Sequence, residues 1–426
     1  EDAAQHTRDE PEGPHMGFNA GGKVAIVGVG RTKITRKGDR AIGALAVEAS
    51  LKAIEDAGLT LRDIDGLSTF PESTGPGVGP TPGLSAAGLQ WMVQGLGIEQ
   101  VNWWSNGGGN ISTAIGTAIH AINSGACNTV LVWRAMYQPR SGAFGSGTRN
   151  SAANASTEAP RATAGNAYQA PYGMGDAPTG FASGYMRYMK MYGARREHMA
   201  EYALSLRANA NKNPVAAFYG QPMSFEDYMN CRMIADPLCL YDCDMPVDGA
   251  AAIVLTRADR AVHMKQKPAY INAFGSGGWD WRHRPPEEWQ NDTATNLGRT
   301  LWAGTDLQPK DIDACMLYDG FSPDVYWWLE GLGFCGRGEA YQWIQGGRTR
   351  LGGEMPTNTF GGQISEGRLH GIGHWVEATL QIQGRADDKP GDGARQVKGA
   401  EHVLVATGMT GHGAGVILGT EPRASR

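Results

Sequence analysis

Apolar runs that end in glycine alternate along the chain with segments in which apolar residues recur at helical spacing. Residues 24–30 are typical of a buried strand, and residues 41–57 then follow the helical period. Further strands are predicted at residues 66–70 and 129–133, and a helix at residues 111–124 lies between them. This order predicts an α/β protein with a parallel or mixed sheet and helices on its faces.

Two short phrases recur in the second part of the chain. Residues 58–65 read Gly-Leu-Thr-Leu-Arg-Asp-Ile-Asp, and residues 306–313 read Asp-Leu-Gln-Pro-Lys-Asp-Ile-Asp. At nearly the same offset, Gly-Gly-Asn-Ile-Ser at 108–112 corresponds to Gly-Gly-Gln-Ile-Ser at 361–365. Because collinear echoes indicate internal duplication, we expect two homologous halves with the functional site between them.

The duplication sets the predicted domain organisation, with an N-terminal half at residues 23–265 and a C-terminal half at residues 266–426. Residues 138–240 are predicted to be a loop insertion in the first half. The first part of this insertion, residues 138–179, is rich in Gly, Ala, Ser and Pro, and we expect it to form a lid or to contact a partner. Residues 1–22 are polar and contain Gly and Pro, which favours a disordered leader.

Composition narrows the class of function. A net charge of -5 with interspersed signs offers no basic stripe for nucleic acid. No stretch approaches the ~20 consecutive apolar residues that a membrane span needs, and the N-terminus lacks a signal-peptide pattern, so a cytoplasmic location is expected. The six cysteines show no paired Cys-x-x-Cys spacing, which indicates neither a disulfide framework nor a zinc site. The expected partner is a small molecule or another protein.

Three motifs add a family resemblance to the duplication. They are Asp-Gly-Ala-Ala-Ala at 248–252, Tyr-Asp-Gly-Phe-Ser at 318–322 and Asn-Thr-Phe-Gly-Gly-Gln-Ile-Ser-Glu-Gly at 358–367. From residue 23 to residue 419, the sequence resembles the thiolase superfamily, specifically its sterol-carrier-protein-X-like branch. The resemblance implies a thiolase-like duplicated five-layer α-β-α-β-α architecture with an inserted loop domain.

The positions at which a thiolase reacts are substituted. Where a thiolase has its cysteine nucleophile, at the start of the helix after the first glycine motif, this sequence has Gly108. The late glycine motif at residues 408–413 lacks the second cysteine, and the Gly-His-Pro histidine is replaced by Arg368. The histidine that this branch places before Asp-x-Phe is replaced by Tyr318. These substitutions imply that acyl transfer through a covalent cysteine intermediate has been abandoned.

Within the branch, the sequence is most similar to the steroid side-chain-cleaving aldolases, which release a short acyl-CoA from a steroid CoA thioester. The resemblance therefore implies a carbon–carbon lyase that cleaves a β-hydroxyacyl-CoA by a retro-aldol reaction, with CoA as part of the substrate and no other cofactor. Such a reaction needs enolate stabilisation and a base for the β-hydroxyl group, but no nucleophile. Arg368 departs from the group, which has a second tyrosine at that position.

The resemblance also suggests roles for individual side chains. Tyr318, acidified by a cationic neighbour to a pKa well below the usual ~10, is expected to remove the β-hydroxyl proton. Arg368 is expected to act electrostatically, because a guanidinium cannot serve as a base. His370 is the second acid/base candidate, although a hydrogen-bonded core histidine is equally expected there. The residues expected to shape or line the substrate pocket are Asn358, Gly361, Gly362, Gly108 and His412.

By the same resemblance, the chain would form a homodimer through its sheet edges. A small OB-fold protein with a zinc ribbon would join it in a heterotetramer and complete the acyl-CoA channel. Two other functions stay open, a non-catalytic acyl-CoA or sterol-binding subunit and a thiolate-independent acyl-condensing enzyme. Twelve tryptophans suit a bulky hydrophobic acyl group, whereas Arg368 could equally recognise a substrate carboxylate.

Overall fold

The computed structural model describes residues 20–36, 38–71, 86–107, 109–137, 177–278, 292–387, 395–408 and 412–425. Residues 1–19 of the expected leader, residues 138–176 of the expected lid and Gly108 lie outside the described residues, as does the side chain of His412. Residues 20–22 form a turn in which Ala20 is buried, and the Gly22 amide donates to the Ile271 carbonyl oxygen.

The strands and helices that the sequence predicts between residues 24 and 133 are confirmed, with ends that shift by a few residues. The strands are β1 (Val24–Arg31), β2 (Gly66–Thr69), β3 (Trp103–Ser105), β4 (Thr129–Met136), β5 (Met233–Ala235), β6 (Leu238–Cys239), β7 (Gly249–Arg257), β8 (Ala269–Gly278), β9 (Ala314–Leu317), β10 (His402–Gly408) and β11 (His412–Gly419). The helices are α1 (Ile42–Asp56), α2 (Leu89–Leu96), α3 (Ile111–Ser124), α4 (Ala177–Tyr192), α5 (Arg196–Ala210), α6 (Phe225–Met229), α7 (Ala258–Ala261), α8 (Asp292–Ala303), α9 (Asp324–Gly331), α10 (Ala340–Trp343), α11 (Gly362–Ser365) and α12 (Ile372–Gln383).

A nine-stranded mixed sheet runs through the described residues in the order β3-β2-β4-β7-β1-β8-β11-β10-β9. β1 and β8 pair near its centre, and outward from them each side has two antiparallel pairings followed by a parallel one. β3 then adds in parallel to β2, and Thr357 forms a parallel bridge to Cys315 of β9 at the corresponding place. The same order of pairings therefore recurs on both sides of the β1–β8 pair, as the repeated phrases predict.

Helices cover the sheet in separate layers. α3 and α12 each contact strands on both sides of the β1–β8 pair, so they form a central layer within the largest apolar core. α1 packs on the outer face of the first side together with α2, and α8 packs with α9 on the outer face of the second side. This arrangement confirms the five-layer α-β-α-β-α architecture.

The described part of the insertion contains more secondary structure than a loop. Residues 177–240 include α4, α5, α6 and the β5–β6 hairpin. Tyr185 and Tyr188 of α4 are buried against Tyr326 of α9, which agrees with the core role that helical spacing predicts for apolar residues on one face. No helix in the described ranges is both long enough and apolar enough to cross a membrane.

Glycines allow the outer helices to lie directly on the central strands. A Cβ atom on Gly28 or Gly30 of β1 would come within 2.2 Å of the Ala53 carbonyl oxygen or 2.1 Å of the Ala49 carbonyl oxygen in α1. In β8, a Cβ on Gly277 would meet the Thr293 carbonyl oxygen of α8 at 2.2 Å. Matched glycines on β1 and β8 therefore set the same close helix–strand packing in both halves.

We expect Gly277→Ala to lower the free energy of unfolding by about 2–3 kcal/mol, because the added methyl group meets helix backbone that cannot rotate away. Gly278→Ala is the matched control, since a Cβ there has no neighbour within 4 Å, and its cost should stay within about 0.5 kcal/mol. Urea denaturation of both variants measures the difference. Equal unfolding midpoints would contradict the proposed packing constraint.

Candidate active site

Tyr318 follows the last residue of β9, where the sequence analysis placed it. Its amide donates to the Ala406 carbonyl oxygen of β10 at 2.8 Å, and its own carbonyl oxygen accepts from the Trp328 indole at 3.1 Å. The phenol ring stacks on His374 with a ring-centre separation of 6.1 Å and remains partly exposed. The backbone of Tyr318 is therefore fixed, while its side chain is left accessible.

Asn358 supports Tyr318 from behind. The Asn358 side chain, fully buried, accepts from the Leu317 amide at 2.8 Å and donates to the Leu317 carbonyl oxygen at 2.7 Å and to the Tyr202 hydroxyl at 2.9 Å. Its φ of 48° lies in the left-handed region, which a non-glycine residue adopts at a cost. Because its amide group is fully engaged inside the protein, Asn358 positions the end of β9.

Gly361 and Gly362 also have a packing role. Their φ values are 108° and 63°. A Cβ on Gly361 would meet Ala210 of α5 at 2.7 Å, and one on Gly362 would meet the Asp319 carboxylate at 1.9 Å. The Asp319 carboxylate accepts from the Gln363 amide at 2.9 Å and lies 3.0 Å from His374 Nε2. Glycine is therefore required at both positions, because the backbone at residues 361–362 lies directly against α5 and the Asp319 carboxylate. A pocket floor would need such close approach.

Arg368 lies beside a carboxylate that the sequence analysis did not single out. Its Nε atom is 3.6 Å from Asp244 Oδ2, and both side chains are buried. The backbone of residues 244–245 forms hydrogen bonds to three neighbouring parts of the chain. Asp244 donates to the Gly320 carbonyl oxygen at 2.9 Å, Met245 donates to that of Gln363 at 2.9 Å, and Arg368 donates to that of Met245 at 2.8 Å.

A second buried arginine, Arg134 of β4, reaches the same place from the first half. Arg134 Nη2 lies 3.4 Å from Nδ1 of His370, whose φ of 56° is again in the left-handed region. The His370 ring centre is 6.5 Å from that of Tyr318 and 5.7 Å from that of Phe70. Burial and the charges of Arg134 and Arg368 hold the pKa of His370 well below its usual range, so the imidazole is neutral at physiological pH.

The two central helices both begin at this site. A Cβ on Gly371, which caps α12, would lie 3.1 Å from Ile111 at the start of α3. The Trp375 indole of α12 donates to the Ser112 hydroxyl of α3 at 2.9 Å, and that hydroxyl also contacts Thr407. Two helix N-termini therefore present their positive dipole ends to one location, which favours negative charge on a bound group.

The expected acidification of Tyr318 is wrong for this structure. Burial raises the pKa of the phenol above its usual value, and the negative charge of Asp244 adds to the increase. Contact with Gln363 and the charge of Arg368 act in the opposite direction without prevailing. Burial, followed by the charge of Arg368, also lowers the pKa of Arg134 to about 9. Tyr318 is therefore a neutral phenol in the unliganded protein.

The four buried cysteines provide no activated thiolate. Cys127 lies at the far end of α3, where burial and the charge of Asp65 raise its pKa to about 12. Burial likewise raises the pKa of Cys239, Cys243 and Cys315. In the described part of α3, the helix begins after an Asn110 cap with no cysteine in its first turn. This agrees with the predicted loss of covalent acyl transfer.

The structure thus brings Tyr318, Arg368 and His370 together at the junction between the two halves. Arg134 and Asp244 belong to the same cluster but were missed. Arg134 directly continues an apolar strand run, and a charged residue inside a buried strand is a signal that could have found it. Gly108 and the His412 side chain, both expected near the pocket, are not among the described residues. No group of three or more potential metal-ligating side chains is found within the described ranges.

Comparisons with known proteins agree with this fold. Residues 276–420 match the family model described as thiolase C-terminal domain-like. The chain is 34% identical to the 17-hydroxy-3-oxo-4-pregnene-20-carboxyl-CoA lyase of Mycobacterium tuberculosis, over 93% of this chain and 99% of the relative. It is 33% identical to the steroid side-chain-cleaving aldolase of Thermomonospora curvata, over 94% of this chain and 98% of the relative.

A solved structure described as the Ltp2-ChsH2(DUF35) aldolase superimposes with a TM-score of 0.79 at 33% identity. The match covers 94% of this chain and 98% of that chain. The duplicated sheet, the central helices and the full-length similarity agree with one another. The chain therefore belongs to the thiolase superfamily, in the sterol-carrier-protein-X-like branch together with the steroid side-chain-cleaving aldolases.

Proposed function

We propose that the protein is a carbon–carbon lyase that cleaves a β-hydroxyacyl-CoA by a retro-aldol reaction. The products are a ketone or aldehyde and a shorter acyl-CoA. The observation that carries this proposal is the full-length similarity to a steroid carboxyl-CoA lyase, in a chain that has Tyr318 beside His370 and Arg368 and glycine at the nucleophile position. The names of two relatives favour a steroid side-chain CoA thioester as the substrate.

Cleavage moves the electrons of the Cα–Cβ bond into the thioester, so the enzyme must stabilise a developing enolate oxygen. Arg368 and Arg134 supply two guanidinium groups beside Asp244 and His370, and the first turns of α3 and α12 supply helix N-termini. These groups are fixed by packing before the substrate binds, and such pre-oriented charges are effective in a site that excludes water. Arg368 therefore serves as an electrostatic group in this mechanism.

Tyr318 is the group that takes the proton of the substrate's β-hydroxyl. Because burial keeps its phenol protonated, Tyr318 can accept that proton only while it passes its own proton to a further acceptor. His370 is neutral and its ring centre lies 6.5 Å from that of the phenol, so it can orient the substrate by hydrogen bonding without adding charge.

For assembly, we propose a homodimer through the outer edge of β3 and a small OB-fold, zinc-ribbon partner that completes the acyl-CoA channel. β3 is the outermost strand of the described sheet, and Trp104 on this strand is 61% exposed. An exposed tryptophan on an edge strand favours burial against another chain. The double name of the Ltp2-ChsH2(DUF35) aldolase supports the second partner.

We expect Tyr318→Phe to lower kcat for carbonyl release by at least about 100-fold, because the variant retains the ring but has no proton to relay. Binding of the CoA thioester should be retained. The assay is incubation with a panel of β-hydroxyacyl-CoA thioesters and identification of both products by mass spectrometry. Tyr219→Phe, at an exposed position, is the control and should leave kcat unchanged. A fully active Tyr318→Phe enzyme would exclude the phenol from proton transfer.

Treatment with iodoacetamide at pH 7 should leave the lyase activity intact, because burial raises the pKa of most of the cysteines and none occupies the nucleophile position. Peptide mass spectrometry before and after treatment identifies any alkylated cysteine. Rapid inactivation from which bound substrate protects the enzyme would show that a thiol takes part after all.

A further inference from the structure

Asp244 is a buried carboxylate at the centre of the charged cluster, and the proposed mechanism has not yet used it. The residue is 5% exposed and its side chain 3% exposed. Oδ2 faces Arg368 Nε at 3.6 Å, which is an ion-pair distance and longer than a hydrogen bond. Within the described residues no hydrogen-bonding group reaches Oδ1. A buried carboxylate oxygen without a donor is costly, and such atoms are concentrated at sites of function.

The location of Asp244 is fixed by its backbone. Its amide bonds to Gly320, two residues after Tyr318, and the next amide, of Met245, bonds to Gln363. The side chain of Gln363 interacts with Tyr318, and its Oε1 atom accepts from the Gly371 amide at 3.0 Å. Asp244 is therefore held beside the Tyr318 loop by the same contacts that position the phenol.

Charged and titratable groups surround Asp244 from several elements. Arg368 faces it from the loop before α12, Tyr318 and Asp319 from the loop after β9, Asp324 from α9, and Cys243 from its own segment. Burial is the largest effect on Asp244 and raises its pKa to about 7, while Arg368 lowers it and Asp319 raises it further. Such a carboxylate changes its protonation state in the range where an acid/base group is useful.

We propose that Asp244 is the proton acceptor behind Tyr318, which receives the phenol's proton as Tyr318 takes up the proton of the substrate's β-hydroxyl. This inference rests on the proposed retro-aldol function. It assigns to Asp244 a role that acts through Tyr318, so Asp244 is a positioning and proton-holding residue that does not touch the reacting carbon atoms.

The proton balance of the step closes without any co-reactant. The β-hydroxyl proton moves to the Tyr318 oxygen, and the original phenol proton moves to the Asp244 carboxylate. The phenol does not hydrogen-bond to Asp244 Oδ1 in the unliganded protein, so this contact forms in the substrate complex, as is common for catalytic hydrogen bonds. The Cα–Cβ electron pair becomes the thioester enolate and the β-carbon becomes a carbonyl. Asp244 then returns its proton through Tyr318 to Cα of the enolate, which gives the shorter acyl-CoA and restores both residues. Tyr318 needs no depressed pKa in this scheme, since it is never required to persist as a phenolate.

The test compares Asp244→Asn with the wild-type chain, with thermal unfolding as a check on folding. In the wild type, kcat/KM should rise with pH and level off above about 7, because Asp244 accepts a proton only when ionised. Asp244→Asn should lower kcat by at least about 100-fold, and its residual activity should lack this rise. Asp244→Glu, which keeps the carboxylate, should recover part of the activity and the pH-dependent rise.

A matched control separates Asp244 from another buried acid. Burial also raises the pKa of Glu366 to about 7, but Glu366 pairs with Arg31 at 3.1 Å and with Asn213 at 2.8 Å. Glu366→Gln should therefore retain the rise of kcat/KM with pH. Two outcomes would overturn the role of Asp244 but not the proposed lyase function. One is loss of the rise of kcat/KM with pH in Glu366→Gln. The other is an Asp244→Asn enzyme that keeps this rise and a kcat within tenfold of the wild type. Absence of cleavage by the wild type with every thioester overturns the proposed function as well.

Discussion

One short segment, residues 242–245, holds the active site together through its backbone. Its amides and carbonyls bond to the loop after β9, to α11 and to the loop that carries Arg368. Ser322 donates to the Asp242 carbonyl oxygen at 2.9 Å, which adds a further contact on the β9 side. Backbone hydrogen bonds between buried segments cannot be exchanged for water, so their geometry is enforced. The groups that react are therefore kept in register by a segment that joins the insertion to β7.

Burial then couples the charges that this segment brings together. It penalises the charged form of Tyr318, Asp244, Arg134 and His370 alike. The charge of Arg368 partly offsets this penalty for Tyr318 and Asp244, whereas it adds to the penalty for Arg134 and His370. In a low-dielectric interior, a proton that moves on one group changes the protonation equilibrium of its neighbours. The proton equilibrium consequently belongs to the cluster as a whole, and substrate binding, which removes remaining water, strengthens the coupling.

The sequence was sufficient for the architecture and for the part of the site that lies in motifs. Period and glycine spacing predicted β1, α3 and β4. The motif at 318–322 located Tyr318, and the position of the Gly-His-Pro histidine, directly after the motif at 358–367, located Arg368. Asp244 could not be predicted in this way, because it lies in an irregular segment and its relevance comes from contacts distant along the chain. The direction of the Tyr318 pKa was also wrong, because a sequence shows which charges are near in the chain but not how far the folded chain removes a phenol from water.

The duplication explains why the reacting phenol is present in one half alone. The offset between the repeated phrases relates Phe70, after β2, to Tyr318, after β9, and both aromatic rings flank His370. One copy of the strand end thus presents a phenyl ring and the other a phenol at the same junction. The duplicated scaffold places an aromatic ring at each strand end. The two rings differ by a single oxygen, and only the Tyr318 hydroxyl can move a proton. The first half contributes through Arg134 and Asp244, whose charges act on that hydroxyl across the junction.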